Sequence, residues 1–293
     1  MVVEHNAVTK PGLTDWRFRY RKAIDKINFV AMALCTGVTV FFLVVILGYV
    51  IVRGGSYIDW SFLTSLPVPV GEKGGGIFNA LVGSLITVAV AALMALPIGV
   101  GAAVFVNEFY SPRLGKFVRF LAEVLIGVPS IVVGLFAYTV VVWPTGRFSG
   151  FSGSVAYAVI MAPIIMITAH EALRLMPTTL REASLALGIP TWKTILRVVL
   201  PTTSRAMLTG VVLAIARALG ETAPMIFTAF GNPYLNFNIT KPMATLPLVL
   251  FTYATSPYED WQAQAWATAF VLVVVVLFTS ILTRYFLRSK FEN

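Results

Sequence analysis

The amino-acid sequence predicts an all-α membrane protein with about six transmembrane helices. Three observations support this fold class: 58% of the 293 residues are hydrophobic, only 12% are charged, and the apolar residues gather in long runs. In soluble globular domains about 25% of residues are charged. Because a soluble fold of this length could not bury so much apolar surface, we expect most of the chain to lie in a lipid bilayer.

Six apolar runs reach, or nearly reach, the length of about 20 residues that a helix needs to cross the hydrocarbon core. The first run follows a basic head and lacks a small-residue cleavage site, so we expect a retained anchor rather than a removed signal peptide. The fourth run is the shortest. In chain order the runs are Ile27–Val52, Phe78–Val106, Phe120–Trp143, Ser154–Ala169, Met207–Phe230 and Ala263–Leu287.

The distribution of lysine and arginine predicts the orientation, because loops on the cytoplasmic side carry an excess of both. Seventeen of these residues lie on the side of the two termini and four on the other side, while Arg217 falls within a crossing. We therefore expect a cytoplasmic basic segment, residues 1–26, one transmembrane domain, residues 27–293, and two cytoplasmic termini. The net charge of +9 faces anionic lipid and requires no nucleic acid.

The sequence offers no catalytic or metal-binding arrangement. Cys35 lies in an apolar run without a partner, which excludes a disulfide framework and a cysteine metal cluster. His170 and Glu171 begin like a zinc motif, but the residue four places after the histidine is Arg174. No nucleophile lies beside a base. We predict neither a metal site nor an enzyme.

A patterned stretch, TLREASLALGIPTWKTILRVVLP at residues 179–201, lies in a predicted cytoplasmic loop. Thr179 and Glu182 have the spacing of a capping box, which predicts the start of a helix. Gly188 suits the left-handed position that ends a helix, and Pro190 suits the first turn of the next one. A short helix is therefore expected in this loop.

The predicted helix, Leu180–Leu187, is about 12 Å long, and helices this short are marginal in water. It needs a surface to lie against. Leu180, Ala183 and Leu187 share one apolar stripe. Two alternatives are open: the stripe rests on the membrane or on the chain's own domain, or it docks on another protein.

The order and spacing of this loop resemble the EAA loop of binding-protein-dependent ABC importer permeases. The family pattern is EAA, three residues, G, nine residues and I-x-L-P, and this chain departs from it only at Ser184 and Val198. The resemblance implies a type I ABC importer permease fold with a short cytoplasmic coupling helix, in a loop spanning about 170–205. In the family this helix docks in a groove of the ATP-binding subunit. The implied coupling residues are Glu182, Ala183, Ser184, Leu187, Gly188, Leu200 and Pro201.

The chain contains no GxxxxGK[ST] phosphate loop. Gly74, Gly75 and Gly76 lack the lysine and hydroxyl that would bind nucleotide and magnesium. ATP and magnesium would therefore be bound by a separate pair of ATP-binding subunits, and this chain needs no cofactor of its own. Because the chain offers one docking loop to a pair of such subunits, a second homologous permease is implied.

Arg217 and Glu221 form the second candidate site, near the middle of the fifth predicted crossing. Charges at that depth cost several kcal/mol and usually face a cavity or each other. Their i,i+4 spacing places them on one helix face. Two interpretations stay open: a structural ion pair, or an anion pathway in which the guanidinium binds an oxyanion. Thr222 and Ser130 are further candidates for this pathway, although Ser130 follows Pro129 and could instead mark a kink.

Several segments resemble the A-type permease subunits of phosphate-specific transport (Pst) systems. They cover most of the chain from Gly74 onward and include the EAA loop. This resemblance implies phosphate import in a bacterial or archaeal cell membrane, by two different permeases, an ATPase dimer and an external phosphate-binding protein. Two alternatives remain: import of another oxyanion, such as sulfate or molybdate, or a membrane scaffold that signals phosphate status. Besides the loop, the segments are RALGETAPMIFTA (217–229), GVPSIVVGLF (127–136) and NALVGSLITVAVAALMALPIGVGAAVFVNEF (79–109).

Overall fold

The computed structural model describes residues 15–72, 74–108 and 112–288. Within these ranges the regular structure is helical, apart from one isolated β-bridge between Phe230 and Met243. The chain divides into two compact units with the boundary between Ile51 and Val52. The predicted all-α fold class is confirmed.

The first unit consists of most of helix α1, which runs over Asp15–Gly55. Its most apolar window has no residue buried inside the protein, as expected of a helix whose surroundings are lipid. The predicted boundary between residues 26 and 27 falls inside this helix. Residues 1–14 of the predicted basic segment lie outside the described residues.

The second unit contains the remaining helices. Two π-helical turns, Tyr138–Val142 and Ile195–Val199, interrupt the α-helical geometry. The helices are α2 (Trp60–Thr64), α3 (Phe78–Glu108), α4 (Pro112–Gly127), α5 (Ser130–Ala137), α6 (Trp143–Thr145), α7 (Gly150–Arg174), α8 (Thr178–Ala186), α9 (Thr191–Thr194), α10 (Leu200–Leu219), α11 (Ala223–Thr228), α12 (Leu246–Ala254) and α13 (Glu259–Arg288).

Five helices in the described ranges are long and apolar enough to cross a membrane, and a bent pair provides a sixth candidate. That pair replaces the straight third crossing: Arg113–Gly127 and Ser130–Thr145 meet at an angle of 104°. The break lies at Pro129, which has no N–H and disfavours helical geometry at the residue before it. Counting the pair as one crossing gives the predicted number.

The fifth crossing differs from the prediction of Met207–Phe230. One continuous helical segment extends from Thr191 to Leu219 and ends there, and the next helix, α11, begins at Ala223. The interruption has a local cause, because the ring of Pro224 would clash with the carbonyl four residues earlier, at Gly220. Arg217 therefore lies in the last turn of α10 and Glu221 lies beyond its end, instead of both lying mid-helix.

Helix α7 is the most buried of the candidate crossings. A capping box between Ser149 and Ser152 fixes its start. Small residues let its neighbours approach closely, as is typical of membrane helices. A Cβ atom on Gly99 of α3 would lie 2.8 Å from the Ala162 carbonyl oxygen, and one on Gly210 of α10 would overlap Thr168. The core of the second unit therefore forms around α7.

The first turns of α3 hold the connection between α11 and α12. The Asn79 amide donates to the Asn232 carbonyl at 2.6 Å, and the backbone N–H of Leu246 donates to Ser84 Oγ at 2.8 Å. Gly83 lies so close to the Ala244 carbonyl oxygen that a Cβ atom would overlap it. This end of α3 and the α11–α12 connection thus form one packed unit.

Replacing Gly83 with alanine should destabilise the protein, because the new methyl group meets backbone that cannot rotate away. The expected cost is about 1–3 kcal/mol, the usual range for overpacking. Gly101→Ala in the same helix is the matched control, since a Cβ atom there meets open space. Thermal unfolding in detergent should show a lower midpoint for Gly83→Ala alone. Equal midpoints for the two variants would contradict the close packing.

Candidate functional site

The predicted helix stop at Gly188 is confirmed. Gly188 has φ +74°, its N–H bonds to the Leu185 carbonyl at 2.9 Å, and the Ile189 N–H bonds to the Ser184 carbonyl at 3.3 Å. These two bonds are those of a Schellman motif, in which a left-handed residue ends the helix. A β-branched residue could adopt this conformation only with strain.

The predicted start of the same helix is wrong. Helix α8 begins at Thr178, with Pro177 as its N-cap residue and no capping bond from a side chain. Thr179 therefore lies inside the helix, and the expected capping box with Glu182 does not form. The extended backbone of Pro177 begins the helix in place of a hydroxyl, and proline has no N–H that requires a partner. Pro190 is likewise the N-cap of α9 and not part of its first turn.

The apolar stripe of α8 is exposed. Leu187 is 80% exposed, and Leu180 and Ala183 are exposed as well. The described part of the chain's own domain therefore does not cover the stripe. By contrast, Ser184 is only 6% exposed, and its hydroxyl lies 2.8 Å from that of Thr194.

A second face of α8 is fixed to the helices beneath it by an ion pair that the sequence analysis did not predict. Arg181 donates from Nη2 at 2.7 Å and from Nε at 3.1 Å to the same carboxylate oxygen of Glu108, the last residue of α3. Nη2 also donates to the Leu173 carbonyl near the end of α7 at 3.2 Å. The two charged residues are 73 positions apart, so no local pattern relates them.

The last two predicted coupling residues, Leu200 and Pro201, begin α10 directly after the second π-helical turn. There the backbone N–H of Leu200 bonds to the Ile195 carbonyl, five residues earlier. Proline lacks an N–H for the α-helical ladder, and a π-helical turn is one way for a helix to accommodate such a loss. The helix from Thr191 to Leu219 thus continues past the proline.

The second candidate site lies where α10 ends. Arg217 Nε and Glu221 Oε1 are 3.7 Å apart, which is an ion pair too long for a hydrogen bond. The Arg217 side chain is 42% exposed and that of Glu221 is 21% exposed. Within the described ranges the guanidinium makes no hydrogen bond. It therefore keeps its donors available to another group.

The structure brings three of the four predicted pathway residues together. Ser130, at the start of α5, lines the same narrow cleft as Arg217 and Glu221, with a cavity volume of about 10 Å³. The hydroxyl of Tyr157 in α7 donates to the backbone carbonyl of Glu221 at 3.0 Å and so fixes the break after α10. The pocket is otherwise apolar, with the side chains of Leu125, Ile126, Val128, Val133 and Ile160.

The fourth predicted residue, Thr222, lies apart from this pocket. Its hydroxyl is 3.5 Å from the Pro247 carbonyl oxygen at the start of α12. Thr222 is also the N-cap residue of α11, although its side chain makes no capping bond. Thr222 thus contributes to the contact between the start of α11 and the start of α12.

A comparison with protein families identifies the architecture. Residues 95–291 match the sequence profile of the binding-protein-dependent transport system inner membrane component. This chain belongs to that family. As a membrane component of a transport system, it is a multi-pass membrane protein and is not itself an enzyme.

Curated proteins that are similar to this chain match it over most of their own length. The phosphate transport system permease protein PstA of Xylella fastidiosa is 45% identical, over 82% of this chain and 85% of its own length. The PstA protein of Haemophilus influenzae is 39% identical, over 94% of this chain and 97% of its own. The expected resemblance to A-type phosphate permeases is confirmed.

Solved structures confirm the fold of the family member. A bacterial alginate ABC transporter has a chain that matches with a TM-score of 0.63 at 14% identity, covering 95% of this chain and 99% of that one. The MetNI methionine ABC transporter, in an inward-facing conformation, matches with a TM-score of 0.60 at 17% identity, covering 73% and 96%. At such identities the likeness shows the fold alone, which is the predicted type I ABC importer permease fold.

Proposed function

We propose that this chain is a permease subunit of an ATP-driven phosphate importer and forms half of its transmembrane pathway. The observation that carries the substrate class is the 45% identity, over most of both chains, to a phosphate transport system permease protein. The fold of an ABC importer permease carries the ATP-driven mechanism. The importer resides in a bacterial or archaeal cell membrane, with both chain termini in the cytoplasm.

The exposed stripe of α8 supports docking of a separate ATP-binding subunit. Leu180, Ala183 and Leu187 offer an apolar surface on a helix too short to be stable alone. A protein groove that covers them would stabilise both the helix and the contact. The ATP-binding subunits act as a dimer and hold ATP and magnesium, while a second homologous permease presents the other docking helix. An external phosphate-binding protein delivers the substrate.

The partly exposed pair of Arg217 and Glu221 at the end of α10 supports a role in anion passage. Arg217 supplies a permanent positive charge with planar donors that match an oxyanion. Its pairing with Glu221 is long, so an anion can replace the carboxylate without first breaking a short hydrogen bond. Ser130 adds a hydroxyl on the opposite helix.

Glu221 favours phosphate over the alternative oxyanions. A carboxylate beside the anion accepts a hydrogen bond from phosphate, which carries a proton near neutral pH, whereas fully ionised sulfate and molybdate are repelled. A scaffold that only signals phosphate status has no use for such a charge pair.

The first test is uptake of labelled phosphate by vesicles that contain the whole complex, with sulfate and molybdate as competitors. Uptake that sulfate or molybdate abolishes would exclude phosphate specificity.

Replacing Gly188 with valine should uncouple the complex. Valine at φ +74° strains the backbone by about 1–2 kcal/mol, which weakens the end of α8 without creating a clash. We expect normal membrane insertion, but loss of the ATP-binding subunit or hydrolysis of ATP without phosphate uptake. Gly188→Asn should retain uptake, because asparagine tolerates left-handed geometry.

The matched control for this variant is Gly146→Val. Gly146 also has positive φ, and a Cβ atom there also meets open space, but it lies outside the coupling loop. Uptake at equal expression, together with co-purification of the ATP-binding subunit, measures the difference. Normal uptake in Gly188→Val would remove the coupling role of this turn.

Replacing both Arg217 and Glu221 with alanine distinguishes a purely structural ion pair from a pair that contacts the transported anion. If the two residues only neutralise each other, removing both charges should restore most of the uptake lost in either single variant. We expect no rescue. Uptake should stay about 100-fold below the parent, the scale of losing about 3 kcal/mol of hydrogen bonding to a charged group. Arg217→Lys should be partly active, since lysine keeps the charge without the planar fork.

Uptake of labelled phosphate at matched expression, with co-purification to verify assembly, is the measurement for these variants. Arg147→Ala serves as the control, because Arg147 is exposed and lies outside the pocket. Full uptake in the double alanine variant would show that the pair is structural.

The proposed orientation is tested by cysteines in a Cys35→Ser background. An impermeant maleimide applied to intact cells should label Ser56→Cys and Thr255→Cys, which are exposed in the proposed outer loops. Leu175→Cys, exposed just before α8, should react only after the membrane is permeabilised. Labelling of position 175 in intact cells would reverse the orientation and contradict docking of an ATP-binding subunit.

A further inference from the structure

We propose that the ion pair between Arg181 and Glu108 is a positioning link that transfers displacement of α8 to α3. This inference rests on the proposed function, because a docked ATP-binding subunit supplies the displacement. Without the link, ATP hydrolysis would move α8 but would not drive transport efficiently.

The geometry of the pair is that of a fixed contact. Two guanidinium nitrogens of Arg181 converge on one carboxylate oxygen, and a third bond reaches the Leu173 carbonyl. The Glu108 side chain is only 8% exposed and that of Arg181 is 23% exposed. Burying two charges carries a desolvation penalty, so such a pair is weak evidence for stability. A planar fork held by three hydrogen bonds to two acceptors instead defines the position of α8 relative to α3 and α7.

Other ion pairs near this end of α3 lack these properties. Arg119 pairs with Glu123 one turn away in α4 and with Glu171 of α7 at 3.4 Å, and all three side chains are substantially exposed. Arg174 and Glu171 lie on the same helix at 3.7 Å. Exposed pairs of this kind contribute little to stability or to position. The pair that crosses from α8 to α3 is thus distinct from its neighbours in both burial and geometry.

Helix α3 is suited to carry such a displacement over a long distance. It is helical over 31 residues, which corresponds to about 46 Å, and it accommodates Pro97 in its interior without ending there. Glu108 is its last residue, and its first turns hold the α11–α12 connection through Asn79, Gly83 and Ser84. A pull on Glu108 therefore acts, through one continuous helix, on the connection at the opposite end.

The partner-facing and domain-facing sides of α8 are separate. Arg181 is directed at the chain's own helices and lies about 100° or more around the helix from each residue of the apolar stripe, whereas Ser184, four residues after Leu180, lies beside the stripe. A partner bound to the stripe leaves the ion pair intact. Force applied by that partner would then reach Glu108 through α8 itself.

The decisive variant replaces Arg181 and Glu108 together with methionine. The double change removes both buried charges, so folding and assembly should survive, as is common when buried ion pairs are exchanged for apolar residues. In the complete complex, we expect ATP hydrolysis to persist. Phosphate uptake per ATP hydrolysed should fall by about tenfold, the scale of typical coupling between linked sites. Arg181→Lys, which keeps the charge without the fork, should give an intermediate ratio.

The control is Arg174→Met, because Arg174 is an exposed arginine of the same loop whose pairing stays within α7. Its ratio of uptake to hydrolysis should match that of the parent. A parental ratio in the double methionine variant would overturn the link.

A second readout does not depend on the substrate. A fluorophore on Thr240→Cys, in the α11–α12 connection and in a Cys35→Ser background, should respond to ATP in the parent complex. The response should be lost in the double methionine variant, and an undiminished response there would overturn the link. If the parent responds to ATP but imports no phosphate, the proposed substrate is wrong while the link stands.

Discussion

The packing of α7 against its neighbours is the constraint on which the rest of the structure depends. In a bilayer no water is present to drive apolar surfaces together, so close approach through small residues has to hold the helices. Gly99 and Gly210 allow that approach on two sides of α7. The helix then offers polar groups at three levels: the Ser152 hydroxyl bonds to the Thr228 carbonyl, Tyr157 to Glu221, and the Leu173 carbonyl to Arg181. One buried helix thus fixes α11, the end of α10 and α8.

Two ion pairs of similar composition have opposite physical characters. Arg181 and Glu108 are joined by short, multiple bonds at a largely buried position. Arg217 and Glu221 are separated by 3.7 Å and are more exposed. A short, buried pair resists exchange of partners, whereas a long pair permits it. The first arrangement suits transmission of force, and the second suits temporary contact with a mobile anion.

Local chemistry made much of the fold predictable. Long apolar runs identified the crossings, and Gly188 identified a helix end because its conformation is one that few other residues tolerate. Errors arose where two local signals competed. Thr179 had the right spacing for a cap, but Pro177 began the helix earlier. At the fifth crossing the apolar run continued through Gly220, and the ring of Pro224 determined where the helix stopped.

The candidate site was predictable only where its residues are close in sequence. Arg217 and Glu221 stand one helical turn apart, so their proximity could be inferred directly. Ser130 reaches the same pocket because α5 packs against α11 and α7, and Glu108 reaches Arg181 because α3 and α7 end together. Contacts of this kind depend on the packed arrangement of whole helices, which no local pattern encodes.

The separation of the two faces of α8 has an evolutionary consequence. A nine-residue helix carries both the surface that we propose docks the ATP-binding subunit and the contacts to its own membrane domain, yet different side chains serve each purpose. Substitutions at Leu180, Ala183 or Leu187 can therefore refit the chain to a diverging partner while Arg181 and Ser184 remain constant. Such an interface can change its recognition surface in small steps without passing through forms that have lost their attachment to the membrane domain.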